Sequence, residues 1–242
     1  MRPTLPTRSA RQLTVSLTLV SLLLLGLGKT EVFAQTLFHY TNASSGAPNF
    51  VAAGVSSVGL SRGAGLMPAV PPCGAADGYG SEKWPTTNVF NVNTFNANGW
   101  YVTFTLTPDP GKGMKINGFR AKSRRENQPG TDDDGPIAIR YGYSTDGGAT
   151  WTTVNPGNPQ SNNLCTSPGA NRVWTSFTSF TTGNPIIFRI YGLSSGANLN
   201  GDLYLRDVIV EGEVCDNEPD IVLGSVPEYC FSTMSIEANI PY

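Results

Sequence analysis

The 242-residue chain carries 16 basic and 18 acidic side chains and one histidine, a formal net charge of −2. Without a basic excess it has no broad face to displace counterions from a nucleic acid, and a single His leaves little for a metal centre or a hydrolytic triad. Charged residues are scarce (14%), aromatic ones are well represented (10%), and Gly and Pro are abundant (27 and 18), which is the composition of short strands joined by rigid turns and not of a disordered chain.

Arg2, Arg8 and Arg11 open the chain with no acid among them; an apolar run of about 15 residues follows from Leu13 to Leu27, then the small-residue site Val32-Phe33-Ala34. That order reads as an export signal over residues 1–34, cleaved after Ala34. The run falls short of the ~20 residues a bilayer-spanning helix needs; an uncleaved anchor is the rival reading. Nothing later is apolar enough to span, so no membrane insertion is expected after cleavage, and the protein is expected to be secreted or held at the cell surface. Cleavage would leave 12 basic against 17 acidic residues, net −5, which argues against docking on anionic lipid as well.

The remaining chain reads as strands. Leu37 to Thr41 is a short one. Gly46 to Gly99 shows little alternation and reads as one or two short strands in long loops. Trp100, Val102, Phe104 and Leu106 alternate with Tyr101, Thr103, Thr105 and Thr107, so the first set faces a core and the second faces outward. Met114 to Ser123 follows; then Ile137, Ile139, Tyr141 and Tyr143; then Val173 to Phe180; then Ile186, Phe188 and Ile190; then Leu203 and Leu205 continuing into Val208 and Val210. Gly- and Pro-rich segments punctuate them. Seven or eight strands of this kind predict an all-β, antiparallel two-sheet β-sandwich over residues 35–214, with a closed barrel as the alternative. After Val214, Cys215-Asp216-Asn217-Glu218-Pro219 reads as a linker. Residues 215–242 then read as that linker and the truncated start of a second β module, too short to bury its own core.

Several residues carry candidate chemistry. Ser144-Thr145-Asp146-Gly147-Gly148-Ala149-Thr150-Trp151 matches the Asp-box pattern S-x-D-x-G-x-T-W. Ser144, Asp146, Gly148, Thr150 and Trp151 are expected to build a hairpin in which the Asp carboxylate accepts bonds from turn N–H groups, Gly supplies positive φ and Trp packs across the base. One copy does not make the repeated blades of a sialidase propeller. Gly59-Leu60-Ser61-Arg62-Gly63 fits G-x-S-x-G, but no helix-forming pattern follows and the one His, His39, lies upstream; a tight loop is the plainer reading. Asp132, Asp133 and Asp134 can donate oxygens to a structural calcium, with Glu126 or Asp202 beside them, against the alternative of a solvated acidic loop. Tyr79, Trp84, Tyr101 and Trp174 can offer flat surfaces for sugar rings, against the alternative of core packing. A glycosidase would need two carboxylates facing across a cleft, which spacing does not reveal.

Taken in order, Leu60 to Leu66, Tyr101 to Pro108, Ile116-Asn117-Gly118-Phe119 leading to Ser123-Arg124-Arg125, Arg140 to Gly147, Phe188 to Gly192 and Leu205 to Gly212 resemble the jelly-roll modules of large bacterial secreted and surface proteins, similar in shape to carbohydrate-binding modules. The tail from Asp216 resembles the start of an immunoglobulin- or PKD-like repeat. The resemblance implies a non-catalytic extracellular binding or adhesion module, part of a larger secreted or cell-surface protein, with an extracellular glycan or cell-surface component as partner. A structural spacer or surface-layer component is the alternative, and a glycoside hydrolase the third. The loops holding Cys73 and Cys165 depart from the usual pattern and look inserted. Four Cys allow three pairings; in an oxidising compartment the expected bridges are Cys73–Cys165, loop to loop, and Cys215–Cys230, at the junction.

Overall fold

The computed structural model describes residues 35–41, 45–69, 78–125, 135–158, 160–161, 170–174, 177–193 and 201–216. The expected export signal, the Asp132–Asp134 run, Glu126, the tail module and three of the four cysteines lie outside them.

Alternation governs what is described. Val102, Phe104 and Leu106 are buried while Thr103, Thr105 and Thr107 between them are half-buried. Ile186, Phe188 and Ile190 are buried in the same way. In chain order the elements are β1 (Gln35–Tyr40), β2 (Phe50–Val51), β3 (Val55–Ser56), β4 (Ser61–Arg62), β5 (Met67–Pro68), β6 (Tyr79–Glu82), helix α1 (Val92–Asn98), β7 (Val102–Pro108), β8 (Lys112–Arg125), β9 (Ala138–Ser144), β10 (Thr152–Val154), β11 (Gln160–Ser161), β12 (Ala170–Val173), β13 (Phe180–Thr182), β14 (Ile186–Leu193) and β15 (Leu203–Asp216). The fold is an all-β sandwich of two sheets. Fifteen strands are present among the described residues, not seven or eight, because the loops contribute many two-residue pairings.

The larger sheet runs β11-β8-β15-β1-β2, with β12 and β13 also on β8 and the β5–β6 pair on β15. The smaller runs β10-β9-β14-β7-β3, with β4 also on β7. Pairing is antiparallel except for the short parallel contact of β11 with β8. The single strand expected from Val173 to Phe180 is instead two, β12 and β13, both paired with β8. Trp174 and Phe177 fall between them and turn into the core.

The sheets meet through aromatic rings. Phe38 of the larger sheet stacks on Phe104 of the smaller at 4.5 Å, and Phe119 meets Phe104, Tyr141 and Phe188 at 5.9, 4.6 and 5.2 Å. Truncating a ring such as Phe104 to Ala should cost about 3–5 kcal/mol, the range for large-to-small changes in a close-packed core. In β15 the apolar phase shifts from Leu203 and Leu205 to Val208 and Val210 because of a bulge. Arg206 pairs with Lys122 and Ile209 with Arg120, so β15 carries one extra residue, and Asp207 there has a φ of 44°.

Gly46 to Gly99 holds more structure than its composition suggested. Asn91 caps α1 by accepting from the Thr94 N–H at 3.1 Å, and Gly99 ends it with a φ of 69°. The helix packs Phe95 on Tyr191, with Phe90 against both rings. Tyr191 alternates with the core residues of β14, so α1 covers one end of the smaller sheet's outer face.

Candidate binding face

The uncovered remainder of that outer face is built by register. One row crosses five strands: Thr153, Gly142, Arg189, Thr103 and Ser61 are successive cross-strand partners. The next row toward the hairpin is Ser144, Ile187 and Thr105. Small hydroxylated side chains therefore surround one cation. Gly142 keeps the row low; a Cβ there would come within 3.2 Å of both Thr153 and Tyr191. A glycine inside a strand often marks a close approach of this kind.

Arg189 is held by rings. Its guanidinium carbon lies 3.7 Å from the centre of Tyr101, which leads into β7, and 4.3 Å from that of Trp151, which leads into β10. Since β7 and β9 flank β14 on opposite sides, the cation is clasped from both. Each such contact is worth roughly 0.5–2 kcal/mol, according to how far it is desolvated. Among the described residues no carboxylate pairs with Arg189, and its buried Nε has no hydrogen-bond partner. The phenol nearest to it in this network is Tyr191, whose hydroxyl donates to Asn96 Oδ1 at 3.0 Å. Burial pushes that phenol well above its ordinary pKa, more than the charge and the hydrogen bond of Arg189 draw it down, so Tyr191 stays neutral and partners the guanidinium without cancelling its charge. Arg140, opposite Tyr191 on β9, is a second half-buried cation on this face; burial lowers its pKa.

The Asp-box hairpin supplies one wall. Asp146 Oδ1 accepts from the Thr150 N–H at 2.9 Å, its Oδ2 accepts from Thr150 Oγ1 at 2.6 Å, and Ser144 Oγ lies 2.7 Å from Oδ1. The Thr150 hydroxyl, then its N–H, then Ser144 hold the Asp146 carboxyl far below the usual range. Gly147 and Gly148 take φ of 70° and 96°, and Trp151 Nε1 donates to the Gly148 carbonyl at 3.0 Å. The turn is thereby closed on itself while the indole is laid against Arg189. Beside it an open groove of about 470 Å³ is lined by Thr105, Asp146, Asn184 and Ile187 among others.

The sequence candidates separate sharply. Tyr101 is on this face. Tyr79, Trp84 and Trp174 are not stacking surfaces: they are 4%, 0% and 5% exposed, and a ring with no exposed face cannot receive a sugar. Tyr79 packs under the Arg62 guanidinium at 3.9 Å. Trp84 donates to the Ser81 carbonyl at 2.7 Å. Trp174 packs with Tyr143 and Phe177 at the wall of a smaller groove of about 180 Å³. Ser61 sits on a two-residue strand with Oγ 3.4 Å from the Thr103 carbonyl, while His39 belongs to the other sheet, 3.5 Å from Asp207. Among the described residues no group of three His, Cys, Asp or Glu could hold a metal; the Asp132–Asp134 candidate lies outside them. Cys215 Sγ is 3.8 Å from the Gly113 carbonyl, and Cys73, Cys165 and Cys230, with both expected pairings, lie outside. Sequence reading missed Arg189 and Arg140 and gave Trp151 only a structural part. The signal for Arg189 was present: a charge in the outward phase of an otherwise apolar strand.

The outer face of the larger sheet is different. Lys115–Glu213 (3.4 Å), Arg120–Glu211 (3.0 Å), Lys122–Asp207 (2.6 Å) and Lys112–Asp216 pair cation with anion along β8 and β15. Burial alone would push the Asp207 carboxyl up, but the hydrogen bond and charge of Lys122, with His39 beside it, hold it below the usual range. No protein-family model matches the chain, and no curated protein matches it.

Proposed function

We propose that the protein is a non-catalytic extracellular binding or adhesion module whose ligand is a glycan, bound on the outer face of the smaller sheet. The observation that carries this is the Tyr101–Arg189–Trp151 clasp set among threonine hydroxyls and continuous with the groove at Thr105 and Ile187. Aromatic edges, a fixed cation and small hydroxyls suit a flat, polyhydroxylated ligand. The jelly-roll resemblance supports the same class by analogy of fold, and the basic, apolar, small-residue order of the N-terminus supports export. Among the residues lining the groove, Asp146 is the one carboxylate, and it is committed to Thr150 and Ser144; that favours binding over glycoside hydrolysis, which needs two facing acids. Burial of three of the four candidate rings favours the second reading, a structural spacer.

A glycan array probed with the full chain separates the two. Binding to a defined set of glycans that is lost in Trp151→Ala, with the fold retained by circular dichroism, supports the module. Absence of binding to any glycan, neutral or acidic, leaves the spacer.

A further inference from the structure

Resting on that reading, we infer that the glycan is acidic: a uronic-acid sugar whose carboxylate is taken by Arg189, with Arg140 as the second cation.

Among the described residues no acid pairs with the charge of Arg189. On the larger sheet Lys112, Lys115, Arg120 and Lys122 each meet an acid, whereas among the described residues Arg189 meets two rings and the hydroxyl of Tyr191, a neutral phenol. A partly buried guanidinium left without a carboxylate bears a desolvation cost that a pair would offset. The rings fix its plane beforehand, so little side-chain entropy remains to be lost on binding. The guanidinium is a planar fork whose geometry matches a carboxylate bidentately, and its Nε has no hydrogen-bond partner within the protein.

The face is also polarised. The cations Arg189 and Arg140 lie toward the α1 end; Asp146 and Asn184 border the groove at the hairpin end. A uronate fits this axis with its carboxylate toward Arg189 and its hydroxyls donating toward the groove. The chain as a whole holds more acid than base. That disfavours a densely charged polyanion and suits a sugar polymer with at most one charge per ring.

The test uses the full chain and oligogalacturonate and oligoglucuronate, each as the free acid and as its methyl ester, by titration calorimetry at low salt. The two forms differ only in the charge. The free acid should bind at least tenfold more tightly than the ester, and Arg189→Ala should abolish the difference. Where that variant fails to fold, Thr103→Glu serves instead: it keeps Arg189 and sets a carboxylate directly across from it, and it should likewise remove the preference for the acid. Equal binding of acid and ester overturns the inference and leaves the glycan reading standing. Tighter binding to dextran sulfate or to polyglutamate than to either uronate overturns the choice of a uronate. No binding to these or to any neutral glycan removes both readings.

Discussion

The two outer faces of the sandwich are made from the same kind of strand and treat charge in opposite ways. On β8 and β15 four cations, Lys112, Lys115, Arg120 and Lys122, each close on an acid within hydrogen-bonding or ion-pair distance, although Lys122 also faces Arg206 across the ladder. On β9 and β14 two arginines stand among threonines and aromatic rings, with no acid paired to them among the described residues. A paired surface charge contributes only ~0–1 kcal/mol and gives solubility and register. A cation clasped by rings, with no acid paired to it among the described residues, gives a fixed charge that a ligand can pair. The difference between these faces, more than the presence of any one residue, assigns binding to the smaller sheet.

The most damaging change to that difference is to make the second face resemble the first. Thr103→Glu places an acid opposite Arg189, at the loss of one hydrogen bond from Thr103 Oγ1 to the Phe188 carbonyl. Glycan affinity should fall tenfold or more by calorimetry while the melting temperature barely moves. Trp151→Ala comes next. It removes one ring of the clasp and the indole bond to Gly148, so it should lower both affinity and melting temperature, separating it from the purely functional Thr103→Glu. Asp146→Ala should lower the melting temperature by releasing Thr150 and Ser144, and should weaken binding only through the displaced Trp151; unchanged stability would contradict the hairpin role.

Acid sharpens the comparison further. Asp146 and Asp207 are both held below their usual pKa. The stability they contribute is therefore in force above about pH 4, the unfolded carboxylate range, and is lost as pH falls through their lower folded values. Asp207→Asn should reduce the acid-side slope of melting temperature against pH, because one depressed carboxylate no longer titrates. The smallest effect belongs to the paired face. A double-mutant cycle on Arg120 and Glu211 should return about 0.2–1 kcal/mol of coupling, shrink with salt and leave glycan binding unchanged.

Period-two alternation made the core legible: Val102, Phe104 and Leu106, Ile186, Phe188 and Ile190, and Leu203, Leu205, Val208 and Val210 are all buried. The Asp-box sequence also carried its own geometry, because its bonds run between residues a few positions apart. The binding face was not legible, since it depends on which strands are neighbours. Arg189 meets Tyr101 and Trp151 only once β14 lies between β7 and β9. Nothing in local spacing states that register. For Tyr79, Trp84 and Trp174 core packing, the alternative weighed against a sugar platform, is what the structure has, and the platform reading failed there. Trp84 shows why it failed: its ring packs closely against Gly192, where an added Cβ would come within 2.8 Å, so a small residue on a distant strand makes the room that buries it.

Hydrogen exchange with and without oligogalacturonate reads out which face of the sandwich the ligand covers. Added protection is expected at residues 101–105, 142–151 and 187–191, with β8 and β15 unchanged. Protection centred on β8 and β15 instead would contradict binding on the smaller sheet.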